Sequence, residues 1–233
     1  VYILMLFLGR VRIVKAHMAA SAKLSRDAER AGVDALLQVV PYYNKPTQDG
    51  LYQHFKSIAE STTLPCILYN VPSRTITSLT AETTLQLAQV PNIVGIKEAS
   101  GDFDQIAQIV QDAPPGFLVW SGNDSDTFPL MCLGSYGVIS VASHLVGLQI
   151  RSMVNNVLTG HMQKAAEEHR RLLPLLKGLF VLSNPIPIKH AINLAGFPVG
   201  NPRLPLTTPD KKTCAFLEKL LSGYAVDLPV HKE

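Results

Sequence analysis

Asn92-Ile-Val-Gly-Ile-Lys97-Glu-Ala-Ser100 is the stretch from which the fold can be read. Residues 93–96 form a short apolar run with β-branched members, set behind the breaker pair Pro91-Asn92. That pattern belongs to a strand buried on both faces of a parallel sheet. The run ends in Lys97. A lysine at such a place either reaches out to water, as most lysines do, or is held neutral by burial. A neutral amine is a nucleophile toward carbonyls.

Working outward, strands and helices alternate. Upstream, 11–14 reads as a short strand and 21–31 as a helix stopped by Gly32. A strand follows at 35–40, cut by Pro41, then a helix over 51–60 with Leu51, Phe55, Ile58 and Ala59 on one face. Residues 65–69 are a third strand, and Ser78 opens a helix that runs to about 89 through capping-box-like chemistry. Downstream of Lys97 come a helix over 102–111, a strand over 117–121, a helix over 126–133, a last strand over 137–141 and a helix over 146–158. This alternation implies right-handed βαβ units, a parallel sheet and an α/β fold. Beyond 158 the strands stop. Helices over 161–176, 185–195 and 209–222 are jointed by Gly160 and by prolines at 185, 187, 198, 202 and 205. The expected organisation is a partial (β/α) barrel over 1–160 and a C-terminal helical extension over 161–233.

Composition narrows the function classes. The 233 residues are 47% hydrophobic and 17% charged, with a net charge of +3 and no basic runs. A nucleic-acid footprint is therefore not expected. Cys66, Cys132 and Cys214 are far apart and odd in number, which fits a reduced, cytoplasmic compartment and gives no metal spacing. The apolar start, 1–8, is too short to span a membrane and lacks the marks of a signal peptide. It reads as a buried strand or the awkward end of a truncated frame.

In α/β barrels the chemistry sits where the strands end. Here those ends read Pro41-Tyr-Tyr-Asn44, Tyr69-Asn-Val-Pro-Ser-Arg74, Lys97-Glu98, Ser121-Gly-Asn-Asp124 and Ser140-Val-Ala142. Each has an ordinary explanation by itself: rim packing for Tyr42 and Tyr43, a core phenol for Tyr69, a solvated cation for Arg74, a turn for Gly122. Polar and titratable residues at successive strand ends together describe a catalytic mouth.

With these residues in view, the chain resembles the dihydrodipicolinate synthase family of pyruvate-dependent class I aldolase-like enzymes. The resemblance runs from about residue 24 to about 208. It is carried by Pro-Tyr-Tyr-Asn-Lys-Pro at 41–46, Leu-Tyr-Gln-His-Phe at 51–55 and Ile-Leu-Tyr-Asn-Val-Pro-Ser-Arg-Thr at 67–75. Gly-Ile-Lys-Glu-Ala-Ser at 95–100, Gly-Val-Ile-Ser-Val at 137–141 and Asn-Pro-Ile-Pro-Ile-Lys at 184–189 complete it. It implies a (β/α)8 TIM barrel, here without the first two βα units, and a helical extension. It implies condensation of pyruvate with L-aspartate-4-semialdehyde to 4-hydroxy-tetrahydrodipicolinate in lysine biosynthesis. No cofactor or metal is implied beyond a covalent Schiff base on Lys97. Tyr69 would move protons and orient the imine. Arg74 would bind the acceptor's carboxylate. Ile139 would present its carbonyl near the lysine amine, and Gly122 and Asn184 would line the mouth. Tyr43 would reach into a neighbouring subunit, implying a homodimer or homotetramer. Arg74 also argues against a related aldolase with another acceptor.

The resemblance fails at the front. Family members carry a Gly-Thr-Thr-Gly-Glu segment at the second strand end, whose threonines bind pyruvate and join the tyrosines in a proton relay, and this sequence has no such segment. Two readings stay open. One is an active synthase. The other is an impaired or inactive homologue, without the relay threonine, that binds pyruvate or serves as a subunit partner. Ala16 and Ala20 stand where bacterial members carry lysine-feedback ligands, so weak or absent feedback is expected despite Tyr42 and His54.

Overall fold

The computed structural model describes residues 11–14 and 18–228. It divides into two compact units, one up to Ile139 and one from Ser140. The expected boundary at 160 marks where strands stop alternating with helices, whereas packing divides the chain earlier. The expectations for 1–8 and for Ala16 fall outside the described residues.

The first unit is a six-stranded parallel sheet whose order follows the chain. Its strands are β1 (Val11–Val14), β2 (Ala35–Val39), β3 (Cys66–Asn70), β4 (Ile93–Glu98), β5 (Leu118–Ser121) and β6 (Gly137–Val138). Between them lie α1 (Met18–Arg30), α2 (Gln48–Ala59), a one-turn α3 (Pro72–Thr75), α4 (Ala81–Leu87), α5 (Phe103–Asp112), a 3-10 turn (Asp124–Asp126) and α6 (Thr127–Cys132). The strand expected over 137–141 pairs regularly only to Val138. The Ile139 N–H still donates to the Ser121 carbonyl at 3.0 Å, and the chain then turns.

Each face of the sheet has its own core. On the helix side, Leu36, Leu68, Ile96 and Val119 meet Leu51 and Phe55 of α2 and Ile106 and Ile109 of α5. On the other side, Leu37, Ile67, Trp120 and Ile139 form a smaller cluster. Burial of this kind is worth ~25 cal/mol per Å² of apolar surface, which is why these helices need no strong intrinsic propensity.

Helix starts are set locally. Asp102 caps α5 by accepting from the Gln105 N–H, and Thr47 caps α2 by accepting from Gly50. The helix expected to open at Ser78 starts three residues later. Thr80 caps it, accepting from the Thr83 N–H, while the Ser78 hydroxyl is held by Asn70.

The second unit is helical among its described residues: α7 (Ser143–Leu158), α8 (Met162–Gly178), α9 (Ile186–Leu194) and α10 (Lys211–Leu221). α7 breaks at Val146, whose backbone leaves the helical region. The Asp227 carboxylate accepts from Gly147 and Leu148 just beyond that break, at 3.0 and 2.7 Å. The Gly178 backbone lies so close to Leu220 of α10 that a Cβ there would sit 2.2 Å from its side chain.

Candidate active site

Parallel pairing decides which side chains meet at the strand ends. Tyr69 of β3 is in register with Lys97 of β4, and Lys97 with Trp120 of β5. Side chains in register share a face, so the three form one row across three strands. One residue further on, Asn70, Glu98 and Ser121 are in register and face the helices. The strand ends therefore carry a reactive row on one face and a polar row on the other.

Lys97 is 5% exposed. Its Nζ lies 4.2 Å from the centroid of the Tyr69 ring. Beneath it, Gly95 makes room for the indole of Trp120. A Cβ at Gly95 would sit 2.6 Å from that ring and 2.1 Å from the Leu118 carbonyl oxygen. Burial pulls the Lys97 amine down from 10.5 to about 8; the Asp124 charge opposes this and the Arg74 charge adds to it. At pH 7 a group of that pKa is neutral about one time in ten, against about one in three thousand for an ordinary lysine. Burial also pushes the Tyr69 phenol above its usual value, and Arg74 again works toward the anion. The Tyr69 phenol therefore holds its proton more tightly than an ordinary one.

Arg74 stands on α3, directly after β3, exposed to solvent but close enough for its charge to act on both groups. Gly122 follows β5. Its N–H donates to the Glu98 carbonyl at 2.6 Å, and a Cβ would come within 2.7 Å of Ala99. Ile139 packs in the cluster that contains Trp120. Tyr43 lies in the loop after β2, 91% exposed and at φ 73°. Lys45 in that loop and Ile76 after α3 also take positive φ. Left-handed backbone at a β-branched residue such as Ile76 is strained, and such strain gathers at functional sites. Asn184 belongs to the second unit, two residues before α9.

Three features of the site escaped the sequence. Asp124 is buried and its charge acts on Lys97; the sequence shows it only as one of a strand-end series. Trp120 is the register partner of the lysine and lays its indole against Gly95. Glu98, 0% exposed, accepts from Asn70 Nδ2 at 2.6 Å, from the Ser100 hydroxyl at 2.6 Å and from the Ser100 N–H at 3.1 Å. Burial pushes its pKa up, while those donors hold it down. Among the described residues, no three His, Cys, Asp or Glu side chains gather as a metal ion would require. No described helix is long and apolar enough to cross a membrane.

With this geometry in view, comparison with known proteins gives a consistent result. The sequence model of the Dihydrodipicolinate synthetase family matches residues 10–223. The 4-hydroxy-tetrahydrodipicolinate synthase of Dehalococcoides mccartyi strain CBDB1 is 63% identical over 203 residues, covering 87% of this chain and 68% of that protein. The crystal structure of dihydrodipicolinate synthase from Thermotoga maritima superposes with a TM-score of 0.89 at 44% identity, covering 91% of this chain and 74% of that one. A structure described as the first monomeric dihydrodipicolinate synthase variant superposes with a TM-score of 0.88 at 45% identity, covering 91% and 73%. The fold class is the α/β class of these barrel relatives, with six parallel strands among the described residues and a helical C-terminal region.

Proposed function

The chain belongs to the dihydrodipicolinate synthetase family, and from that premise we propose that Lys97 is the Schiff-base residue of its reaction. The activity is that of a 4-hydroxy-tetrahydrodipicolinate synthase, a lyase-class step of lysine biosynthesis by the diaminopimelate route. Relatives this similar carry the enzyme's name, and no observation favours a catalytically silent homologue.

The neutral Lys97 amine attacks the keto carbon of pyruvate, and water leaves as the imine forms. The protonated imine withdraws electrons, so the pyruvate methyl group loses a proton and becomes an enamine. Its carbon forms a bond to the aldehyde carbon of L-aspartate-4-semialdehyde, and the resulting alkoxide takes up a proton. The acceptor's amino group then closes the ring on the imine carbon and releases Lys97. The electron sink is the imine itself, so the chemistry calls for no cofactor. Tyr69, half-buried and protonated beside the amine, carries protons in these steps. Arg74 offers a planar fork to the acceptor's carboxylate. Ile139 and Gly122 line the mouth in this reading.

Tyr43 supports a contact with a second copy of the chain. It is 91% exposed on strained backbone, and a large aromatic in that state suits a partner surface. We therefore read the protein as a homodimer or homotetramer, though the monomeric relative shows that assembly varies among similar proteins. The unpaired cysteines support a cytoplasmic setting.

The observation that carries this reading is the buried Lys97 amine over the Tyr69 ring. The test is turnover of pyruvate and L-aspartate-4-semialdehyde by the full chain and by Lys97→Ala. Turnover that disappears in the variant is expected; undiminished turnover would remove Lys97 from the mechanism.

A further inference from the structure

The polar row behind the reactive row has a use of its own. Asn70 and Glu98 directly follow Tyr69 and Lys97 and are their counterparts on the helix side. Both are completely buried. Four donors point at Glu98: Asn70 Nδ2, the Ser100 N–H, the Ser100 hydroxyl and, at 3.4 Å, Gln105 Nε2. None requires a proton on the carboxylate, so Glu98 is built in as an acceptor.

Asn70 faces two ways. Its Nδ2 donates to Glu98, and also to the Ser78 hydroxyl at 3.1 Å. Its Oδ1 accepts from the Leu79 N–H at 3.1 Å. The chain leaves β3 at Asn70, makes α3 with Arg74 upon it, and returns to Asn70 at residues 78–79. One buried side chain closes both ends of the loop. Within the loop the Thr75 hydroxyl bonds the Val71 and Thr77 carbonyls, and Gln48 of α2 holds the Ser78 carbonyl from outside.

We propose that the Asn70–Glu98 pair is a positioning clamp for Arg74: Glu98 fixes the amide of Asn70, and Asn70 fixes the loop that presents the guanidinium to the acceptor substrate. The inference rests on the role given above to Arg74. Lys97 and Tyr69 stand on the other face of the strands, so the clamp acts on acceptor capture and not on imine formation. A polar pair buried this deeply costs folding free energy unless every partner is met, and here the partners met include the ends of the loop.

The experiment separates two readouts in each variant: the KM for L-aspartate-4-semialdehyde, and the yield of borohydride-trapped pyruvate adduct on Lys97. Asn70→Ala is expected to raise that KM on the order of 10- to 100-fold, the range for a misplaced binding group, with adduct yield within about twofold. Asn70→Asp sets two carboxylates against each other, and Glu98→Gln sets its amide N–H against either Asn70 Nδ2 or the Ser100 N–H, both donors to Glu98. Each single change is expected to raise the KM. The double change Asn70→Asp with Glu98→Gln restores donor against acceptor and is expected to recover most of it. Should Asn70→Ala fail to accumulate, Ser78→Ala removes only one outer partner and is expected to raise the same KM more modestly.

Arg74→Ala is the control for the underlying role. If it leaves the KM unchanged, the reading of Arg74 fails. If it raises the KM while Asn70→Ala does not, the clamp fails and the reading stands. Loss of adduct and acceptor capture together in Asn70→Ala, or no recovery in the double variant, would reduce the pair to general scaffolding and overturn the proposal.

Discussion

Lys97 and Tyr69 are register partners on neighbouring parallel strands, and the lysine Nζ lies 4.2 Å from the tyrosine ring centroid. The ring face favours the ammonium form, yet burial outweighs it and brings the amine down to about 8. The balance leaves a group that is neutral often enough to attack a carbonyl. The first prediction follows directly. The rate of borohydride trapping with saturating pyruvate should rise with pH to a midpoint near the Lys97 value of about 8. A midpoint near that of a free lysine would show that burial does not tune the amine.

A buried amine with a lowered pKa also has a cost in stability. The unfolded lysine titrates at 10.5 and the folded one at about 8. Between those values the unfolded chain binds more protons, so stability rises with pH across that window. The penalty is present in full below the folded value and gone above the unfolded one. Two to three pKa units correspond to about 3 kcal/mol. Lys97→Met should therefore unfold several degrees higher than the native chain at pH 7, and the gain should shrink as pH approaches 10.5. Calorimetry or denaturant titration at pH 7 and pH 10 checks this; a variant less stable at pH 7 would contradict it.

The two charges that act on Lys97 should be separable. Asp124 raises its pKa and Arg74 lowers it. Asp124→Asn should move the trapping midpoint to lower pH, and Arg74→Ala should move it higher. The exposed arginine is screened by water, so its shift should be the smaller one. Equal or inverted shifts would show that these charges do not face the amine.

Tyr69→Phe keeps the ring against Lys97 and removes the hydroxyl. General acid–base catalysis is worth ~10²–10⁴ in rate. Turnover should fall within that range while the Lys97 adduct with pyruvate still forms. Steady-state kinetics beside mass spectrometry of the trapped protein reads both, and full turnover in the variant would take Tyr69 out of the proton path.

How far the sequence carries this picture depends on the range of the interactions involved. The strands around Lys97 were legible because their apolar runs are short, β-branched and bounded by breakers, and each helix between them shows its buried face. That Tyr69 and Lys97 lie at neighbouring strand ends, with Arg74 just beyond Tyr69, was legible from strand-end chemistry. Missed features needed register or tertiary competition. α3 is four residues long and has no periodicity to read. Ser78 looked like a helix cap, but Asn70 takes its hydroxyl and Thr80 caps instead. Trp120 beside the lysine, and Glu98 facing Asn70, follow only from which residue pairs with which across β3, β4 and β5.

Everything proposed for this site depends on Lys97 binding pyruvate covalently. Incubation of the protein with pyruvate and borohydride, followed by peptide mass spectrometry, tests it most directly. One reduced pyruvate adduct is expected, carried by Lys97 and absent from Lys97→Ala. No adduct, or an adduct on another lysine, would contradict it.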